Sequence, residues 1–455
     1  MNRQRWSVLG DAWRTQLWPV PSLCIAVAVA LGVALPRLDA RLDDNLPDSV
    51  TAYLFSGGPE AARTVLSAVA GSLITVTSLT FSLTVVTLQL ASSQFSPRLL
   101  RTFNRDRVVH VSLGLLLATF TYALTVLRTV RASLSEQTAF VPQISVTVAF
   151  FLALVSVLTL VVFLAHLSRQ IRVEWIMRQV HAETDATIRR VLDDDTRAAT
   201  TATAAPPTAP EHAELLCAGG SGFLNAVDER ALLAAAVDNQ AVVLVDRLPG
   251  DSLVAGTPIA RAWPVDGSSV LPESSRAALA TCVHRAVRTG FERTAAQDVA
   301  FGLRQLVDVV VKALSPGVND PTTAVHGLGH VAVLMCELAG RDLGSRLLCD
   351  DDGHVRLILR RPGFAELLEL AVAQPRRYGT TDPVVLSRLA TLLREVAWSA
   401  AGPAQHAAVA GQLERLVDTA AHQDFDTDDN ELLRAEFQRV RHALTGRWPR
   451  DGSAS

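Results

Sequence analysis

The sequence predicts an α-helical membrane protein with four transmembrane helices, followed by a mainly α cytoplasmic domain with a small β unit. Apolar runs long enough to span a bilayer, which takes about 20 residues each, crowd residues 17–167. The rest of the chain has the mixed composition of a globular domain, and the charged fraction of the whole chain is only 19%. These two observations separate a membrane part from a soluble part.

The four predicted spans lie at about 17–35, 61–90, 108–127 and 143–167. The first has a basic start, but its apolar core is long and no small-residue cleavage site follows it, so we expect a retained span. Ten arginines flank the spans on the side of the chain termini and five on the opposite side. The positive-inside rule therefore predicts that both termini are cytoplasmic.

Span two is unusually polar and long. One helical stripe carries Gly71, Thr75, Ser78, Ser82, Gln89 and Ser93, and another carries Thr77, Thr80, Thr84 and Thr87. The pattern continues for about 35 residues, or roughly 50 Å at 1.5 Å per residue, so this helix should project beyond the bilayer. Pro97 is expected to end it, which places Arg98 and Arg101 among lipid phosphates.

Two interpretations of the polar stripes remain open. Hydroxyl groups in lipid bond to their own helix or to a neighbouring helix, so the stripes are explained by tight packing, including packing at a homo-oligomer interface. Alternatively, one stripe lines a hydrated pathway, with Gln89 near its cytoplasmic end.

The predicted domain order is a four-span domain (1–168), a helical extension of span four (169–195), a flexible linker (196–212), a small β-rich unit (213–265), a helical cytoplasmic domain (272–445) and a disordered tail (446–455). The β unit resembles half of a lipoyl-type domain but has no lysine for cofactor attachment. In the helical domain we expect helices over 274–289, 296–314, 320–340, 363–373, 382–401 and 403–445, the last broken near Asp424, and a hairpin over 345–360 that turns at Asp352-Gly353.

The segment 312–324, KALSPGVNDPTTA, is the most distinctive soluble motif. Ser315-Pro316-Gly317 should stop one helix, and Asp320 should cap the next, with Pro321 at its first position. A tight structural corner explains these residues. The alternative is a ligand or regulatory site, because a helix N-terminus favours anions. The candidates for that site are Lys312, Ser315, Asn319, Asp320, Thr322 and Thr323.

Other chemistry finds little support in the sequence. The pair His326 and His330 has no glutamate between them as in HExxH, and the acidic run at 424–436 lacks the glycine of a calcium loop. The five cysteines are too scattered for a disulfide framework or a zinc knuckle. We therefore expect no catalytic residues, no metal, no cofactor and no enzymatic activity, and a net charge of −3 gives no reason to expect nucleic acid.

The blocks TVTSLTFSLTVVTLQLASSQFSPRLLRTF and FGLRQLVDVVVKALSPGVNDPTTA resemble a bacterial family of predicted membrane proteins catalogued as domain of unknown function 2254. Arg98 and Asp320 fall inside these blocks. The resemblance implies a multi-span architecture in the bacterial inner membrane and supplies no activity.

From the residues we expect a homo-oligomeric channel or transport-type protein in the lipid bilayer, with a pathway along span two and regulation by the cytoplasmic domain. The alternative is a membrane-anchored sensor or scaffold that binds a small anion or a partner protein at the SPGVNDP corner.

Overall fold

A computed structural model describes residues 18–42, 54–94, 106–131, 140–170, 172–198, 207–266 and 270–448. The chain divides into two compact units, Met1–Trp175 and Ile176–Ser455.

The first unit is a bundle of apolar helices. They are α1 (Pro19–Leu42), α2 (Pro59–Gln94), α3 (Arg107–Leu127) and α4 (Gln143–Gln170). Each coincides with a predicted span, and the 36 residues of α2 confirm the overlong second helix, about 54 Å at 1.5 Å per residue. The expected stop at Pro97 lies outside the described residues.

Helix α3 is the centre of the bundle, because it packs against α1, α2 and α4. Tyr122, Ala123 and Val126 of α3 are fully buried. Small residues let α1 approach α3 closely. A Cβ added to Gly32 would lie 2.8 Å from the Cβ of Thr125. Such close contacts between small residues are how helices associate in lipid, where hydrophobic burial adds little.

The junction after α4 differs from the prediction. The sequence indicated one continuous helix to Asp195, but α4 ends at Gln170 and a separate helix, α5 (Val173–Ala198), follows. The helical period does not register such an interruption, because apolar and charged residues alternate in the same way on both sides of it. The predicted linker begins inside α5, and residues 199–206 lie outside the described ranges.

The second unit combines two sheets with helices. Its strands are β1 (Glu214–Cys217), β2 (Gly222–Val227), β3 (Ala241–Val245), β4 (Ser252–Leu253), β5 (Pro258–Pro264), β6 (Val287–Gly290), β7 (Arg346–Cys349) and β8 (Val355–Leu359). Its helices after α5 are α6 (Glu229–Asp238), α7 (Glu273–Ala286), α8 (Val299–Ala313), α9 (Pro321–Ala339), α10 (Phe364–Tyr378), α11 (Pro383–Ser399), α12 (Pro403–Ala421) and α13 (Thr427–Leu444).

The larger sheet has the order β1-β5-β3-β8-β7 and the smaller one β4-β2-β6. Strands β3 and β8 are parallel, and the other pairs are antiparallel. The β7–β8 hairpin turns at Asp352-Gly353 as predicted, with Gly353 at φ +81°. This hairpin joins the larger sheet, whereas the sequence predicted a β unit that ends before residue 266. The prediction missed this because pairing between distant strands leaves no local signal in the sequence.

The predicted helix over 274–289 was wrong at its end. Helix α7 stops at Ala286, and Val287–Gly290 forms strand β6, which pairs with β2. The pairing partner, β2, lies about 60 residues earlier in the chain. Pairing with this distant strand overrides the local helical pattern.

Helix α9 is a core element of the second unit. It packs against α8, α10 and α11, and Leu328, Val331 and Met335 are fully buried. By length and composition alone it is also a fifth candidate membrane span, beside α1 to α4, so the predicted count of four is not matched by that criterion.

Candidate functional site

The two polar stripes of α2 lie on opposite faces of the helix, and the structure separates their roles. Thr77, Thr80, Thr84 and Thr87 are buried within the bundle. Each hydroxyl donates to the carbonyl four residues earlier, at 2.7–2.8 Å. These hydrogen bonds satisfy the hydroxyls locally, so the threonine stripe is a packing surface.

The second stripe is exposed on the first unit. Thr75, Ser78, Ser82 and Gln89 all point away from the bundle, and the Thr75 hydroxyl donates to the Gly71 carbonyl at 3.1 Å. Ser93 belongs to α2, but its side chain, like Arg98 and Arg101, lies outside the described residues. We call Thr75, Ser78, Ser82 and Gln89 the exposed stripe.

Large apolar side chains border the exposed stripe on both sides. Ile74 and Phe81 lie along one edge and are 43% and 56% exposed, and Leu79 and Val86 lie along the other at 70% and 45%. Apolar borders suit acyl chains, whereas the stripe between them does not. Within the described residues of the first unit, the exposed stripe is therefore a polar band on the outer surface of the helix bundle.

Two polar contacts that no sequence pattern indicated connect the helices of the first unit. The buried Asp39 carboxylate of α1 accepts from the Ile144 and Ser145 amides, both at 3.0 Å, and from the Ser145 hydroxyl at 2.6 Å. It thereby satisfies free amides at the start of α4. Since the partners are over 100 residues apart, no local pattern reveals the contact.

The second contact joins the start of α3 to the end of α4. Asp106 accepts from the Val108 amide at 2.8 Å as the N-cap of α3, and its other oxygen lies 2.5 Å from Nε2 of His166. The His166 ring also makes an edge contact with Trp175, with centroids 6.5 Å apart. Both contacts hold the ends of spans in place.

The corner between α8 and α9 has the predicted capping geometry. Asp320 precedes Pro321 at the first position of α9, and its carboxylate accepts from the Thr323 amide at 3.0 Å and the Thr323 hydroxyl at 2.6 Å. These hydrogen bonds hold the pKa of Asp320 below its usual range. The Ser315 hydroxyl donates to the Lys312 carbonyl at 2.6 Å.

The remaining candidates at this corner are exposed. Lys312, Asn319 and Thr322 face solvent, and Asn319 adopts a left-handed conformation with φ +47°. Local hydrogen bonds thus account for Ser315, Asp320 and Thr323 as parts of a helix–turn–helix corner. A ligand at this corner stays a prediction.

The histidine pair and the acidic run also have structural explanations. The His330 ring contacts the His181 ring of α5, with centroids 5.1 Å apart. Asp426 caps α13 by accepting from the Asp429 amide at 2.9 Å, and the predicted break near Asp424 is confirmed.

The second unit also contains a cavity of about 810 Å³ that no sequence pattern indicated. Its lining includes four carboxylates and eight arginines, the latter being Arg190, Arg230, Arg247, Arg293, Arg304, Arg346, Arg360 and Arg361. Arg247, two residues after β3, and Arg360-Arg361, directly after β8, were the available sequence signal, but only the fold shows that the two strand ends meet.

Comparisons with known proteins agree on a family. The family model described as "Predicted membrane protein (DUF2254)" matches residues 14–395. Uncharacterised proteins of Mycobacterium bovis and Mycobacterium tuberculosis are each 35% identical over 445 residues, which cover 98% of this chain and 83% of theirs. No solved structure matches the chain significantly.

Proposed function

We propose that this chain, which belongs to the DUF2254 family of predicted membrane proteins, is a homo-oligomeric channel or transport-type protein of the bacterial inner membrane. The observation that carries the proposal is the exposed stripe of α2. Ionisable side chains within membrane spans face a bundle interior or a water-filled cavity, and Ser, Thr and Gln side chains gather where helices pack together. Among the described residues of the first unit, the stripe lies on the exposed surface of the bundle.

A second copy is the occupant that fits the exposed stripe. In a closed ring, each copy presents the same surface toward one axis. Thr75, Ser78 and Ser82 would then face that axis and Gln89 would stand near the cytoplasmic end, while the apolar borders would contact neighbouring copies or lipid. The threonine stripe on the opposite face is already buried within its own bundle, so it does not compete for this role.

The topology that we propose has four spans, α1 to α4, with both termini cytoplasmic. Helix α9 has the lowest mean hydropathy of the five candidates and only 19 residues. It is capped by Asp320 and packs among the helices of the second unit, which favours a core helix over a span. The arginine distribution in the flanking segments supports the orientation.

Reconstitution in liposomes tests this function. Purified full-length protein should give ion currents or solute flux. Chemical cross-linking of Ser78→Cys or Ser82→Cys should yield oligomers in the same vesicles, and Thr84→Cys, on the buried face, is the matched control. A tight, silent bilayer with fully inserted protein would overturn the proposal.

Gln89→Leu sharpens the test within the exposed stripe. Because Gln89 is exposed in a single copy, its replacement should change conductance or flux while the melting temperature moves little. A large loss of stability with unchanged flux would instead favour a packing role for this side chain.

A membrane-anchored sensor that binds a ligand at the SPGVNDP corner is the second candidate function. The exposure of Lys312, Asn319 and Thr322 favours it, whereas the local hydrogen bonds of Ser315, Asp320 and Thr323 are explained without a ligand. If Lys312→Ala leaves every ligand-dependent thermal shift of the protein unchanged, this candidate fails.

A further inference from the structure

The arginine-lined cavity lies at the carboxyl ends of the parallel strands β3 and β8. Val245 and Leu359, the last residues of these strands, are paired with each other and both line the cavity. After Val245 the chain passes through Asp246, which is paired with Arg261, to Arg247. After Leu359 it continues directly as Arg360-Arg361. In sheets with parallel strands, ligands commonly bind beyond the carboxyl ends, where loops from neighbouring strands meet.

Three helices begin at the same cavity. Glu229 and Arg230 are the first residues of α6, and Val299 and Ala300 those of α8. Helix α10 follows the lining residue Pro362 and begins after Gly363, which has no side chain to accept a hydrogen bond. Asp228, Asp298 and Glu366 already accept from backbone amides at these three helix starts. What the N-termini add to the cavity is therefore the partial positive charge of the helix ends, which favours an anion.

Some of the lining arginines are held by carboxylates. Arg293 donates to the buried Asp298 carboxylate at 2.6 and 3.1 Å, and Arg346 lies 3.2 Å from Glu229. Gly250, at φ +93°, allows the backbone to pass directly under the first pair, because a Cβ there would lie 2.1 Å from the Asp298 carboxylate. These pairs form a fixed polar wall.

Other arginines are available to a ligand. Within the described part of the chain, no carboxylate lies within ion-pair distance of Arg230 or Arg247, and both side chains are exposed. Arg190 is oriented by the carbonyls of Ala295 and Ala296, at 3.2 and 3.1 Å, which hold its guanidinium without neutralising it. With eight arginines against four carboxylates, the lining carries an excess of positive charge.

The cavity also offers apolar surface. Leu192, Leu233, Leu343 and Leu370 contribute to its walls. Its volume falls in the range of about 300–1,000 Å³ that is usual for small-molecule sites. A ligand that is only an inorganic anion would leave this apolar surface unused.

We propose that this cavity binds a phosphorylated small molecule of nucleotide size, with phosphate groups on Arg190, Arg230 and Arg247 and the apolar part against the leucine wall. Guanidinium groups suit this role because their planar donors match phosphate oxygens. The site goes beyond the channel or transport function, and its occupancy does not depend on whether the membrane part conducts.

Direct binding to the full-length protein in phosphatidylcholine nanodiscs tests the site. The probes are ATP, AMP, adenosine, pyrophosphate and glycerol 1-phosphate. Calorimetry measures the affinity of each probe, and thermal shift measures the change in melting temperature. We expect ATP or AMP to bind and raise the melting temperature, adenosine to bind much more weakly, and added KCl to weaken nucleotide binding.

Charge-matched variants locate the binding. Arg230→Ala/Arg247→Ala should weaken the nucleotide by about tenfold or more without changing the melting temperature of the free protein. Arg276→Ala/Arg415→Ala removes the same number of positive charges from positions outside the cavity and should bind normally. Equal affinity of the cavity variant and the wild type would overturn the proposal.

Two other outcomes also overturn it. Binding of glycerol 1-phosphate alone would indicate a lipid headgroup site, and no binding of any probe below about 1 mM would leave no nucleotide site. Because the readout is binding, failure here is distinguishable from failure of the liposome measurements.

Discussion

The outer surface of the membrane helices and the interior of the second unit carry the same kinds of apolar side chain. On α4, Phe150, Phe151 and Leu158 are each more than half exposed, whereas Leu306 and Leu389 of the second unit are fully buried. In the second unit, removing such side chains from water stabilises the fold. Between helices in lipid this hydrophobic stabilisation is nearly absent. Polar contacts and close packing must therefore specify the helix bundle of the first unit.

The largest expected effect comes from replacing hydroxyl side chains of the exposed stripe of α2. Ser78→Leu/Ser82→Leu should abolish most of the conductance or flux of reconstituted protein, because the proposed pathway loses its hydroxyls and narrows. Liposome flux measures the change. Thr84→Val, on the buried face, should keep its flux, and equal losses in both variants would remove the functional distinction between the stripes.

A large stability effect is expected at Asp39. Asp39→Ala removes an acceptor from two backbone amides and one hydroxyl that remain buried, which should cost about 3 kcal/mol of unfolding free energy. Unfolding of the full-length protein in detergent measures it. Asp39→Asn keeps one acceptor and should lose less. Unchanged stability in Asp39→Ala would contradict the idea that polar contacts specify the membrane bundle.

Close packing in the second unit is tested at Gly302. A Cβ at this position would lie 1.8 Å from Oγ1 of Thr184, so Gly302→Ala should cost about 1–3 kcal/mol through overpacking. Gly411→Ala is the matched control, because a Cβ there meets no atom within 4 Å. In the interior of α12 this alanine should instead stabilise the protein by about 0.5–1 kcal/mol. Thermal unfolding of both variants decides the comparison.

A smaller loss of stability than at Asp39 or Gly302 is expected at the α8–α9 corner. Asp320→Ala removes the N-cap of α9 and should cost about 0.5–2 kcal/mol. The folded-state pKa of Asp320 is lowered by its hydrogen bonds from Thr323. Its contribution is therefore present above the usual aspartate pKa of about 4 and is lost as the pH falls through the lowered value. The difference in stability between wild type and variant should shrink below pH 4, and a constant difference would contradict the assignment.

Much of the architecture could be predicted from local pattern. Apolar run length located α1 to α4, and the Asp320-Pro321 pair located the start of α9. The failures have a common form. The end of α7, the β7–β8 hairpin in the larger sheet and the break between α4 and α5 all depend on partners or geometry that the local period does not contain.

The sequence by itself determined that two polar stripes exist on α2, because residue spacing sets which side chains share a helix face. Only the tertiary structure decided that the threonines are buried and that Ser78, Ser82 and Gln89 remain outside. It likewise brought Arg190, Arg230 and Arg247, which are separated along the chain, to one cavity. Composition can count arginines, but their convergence follows from the parallel pairing of β3 with β8, a contact between segments more than 100 residues apart.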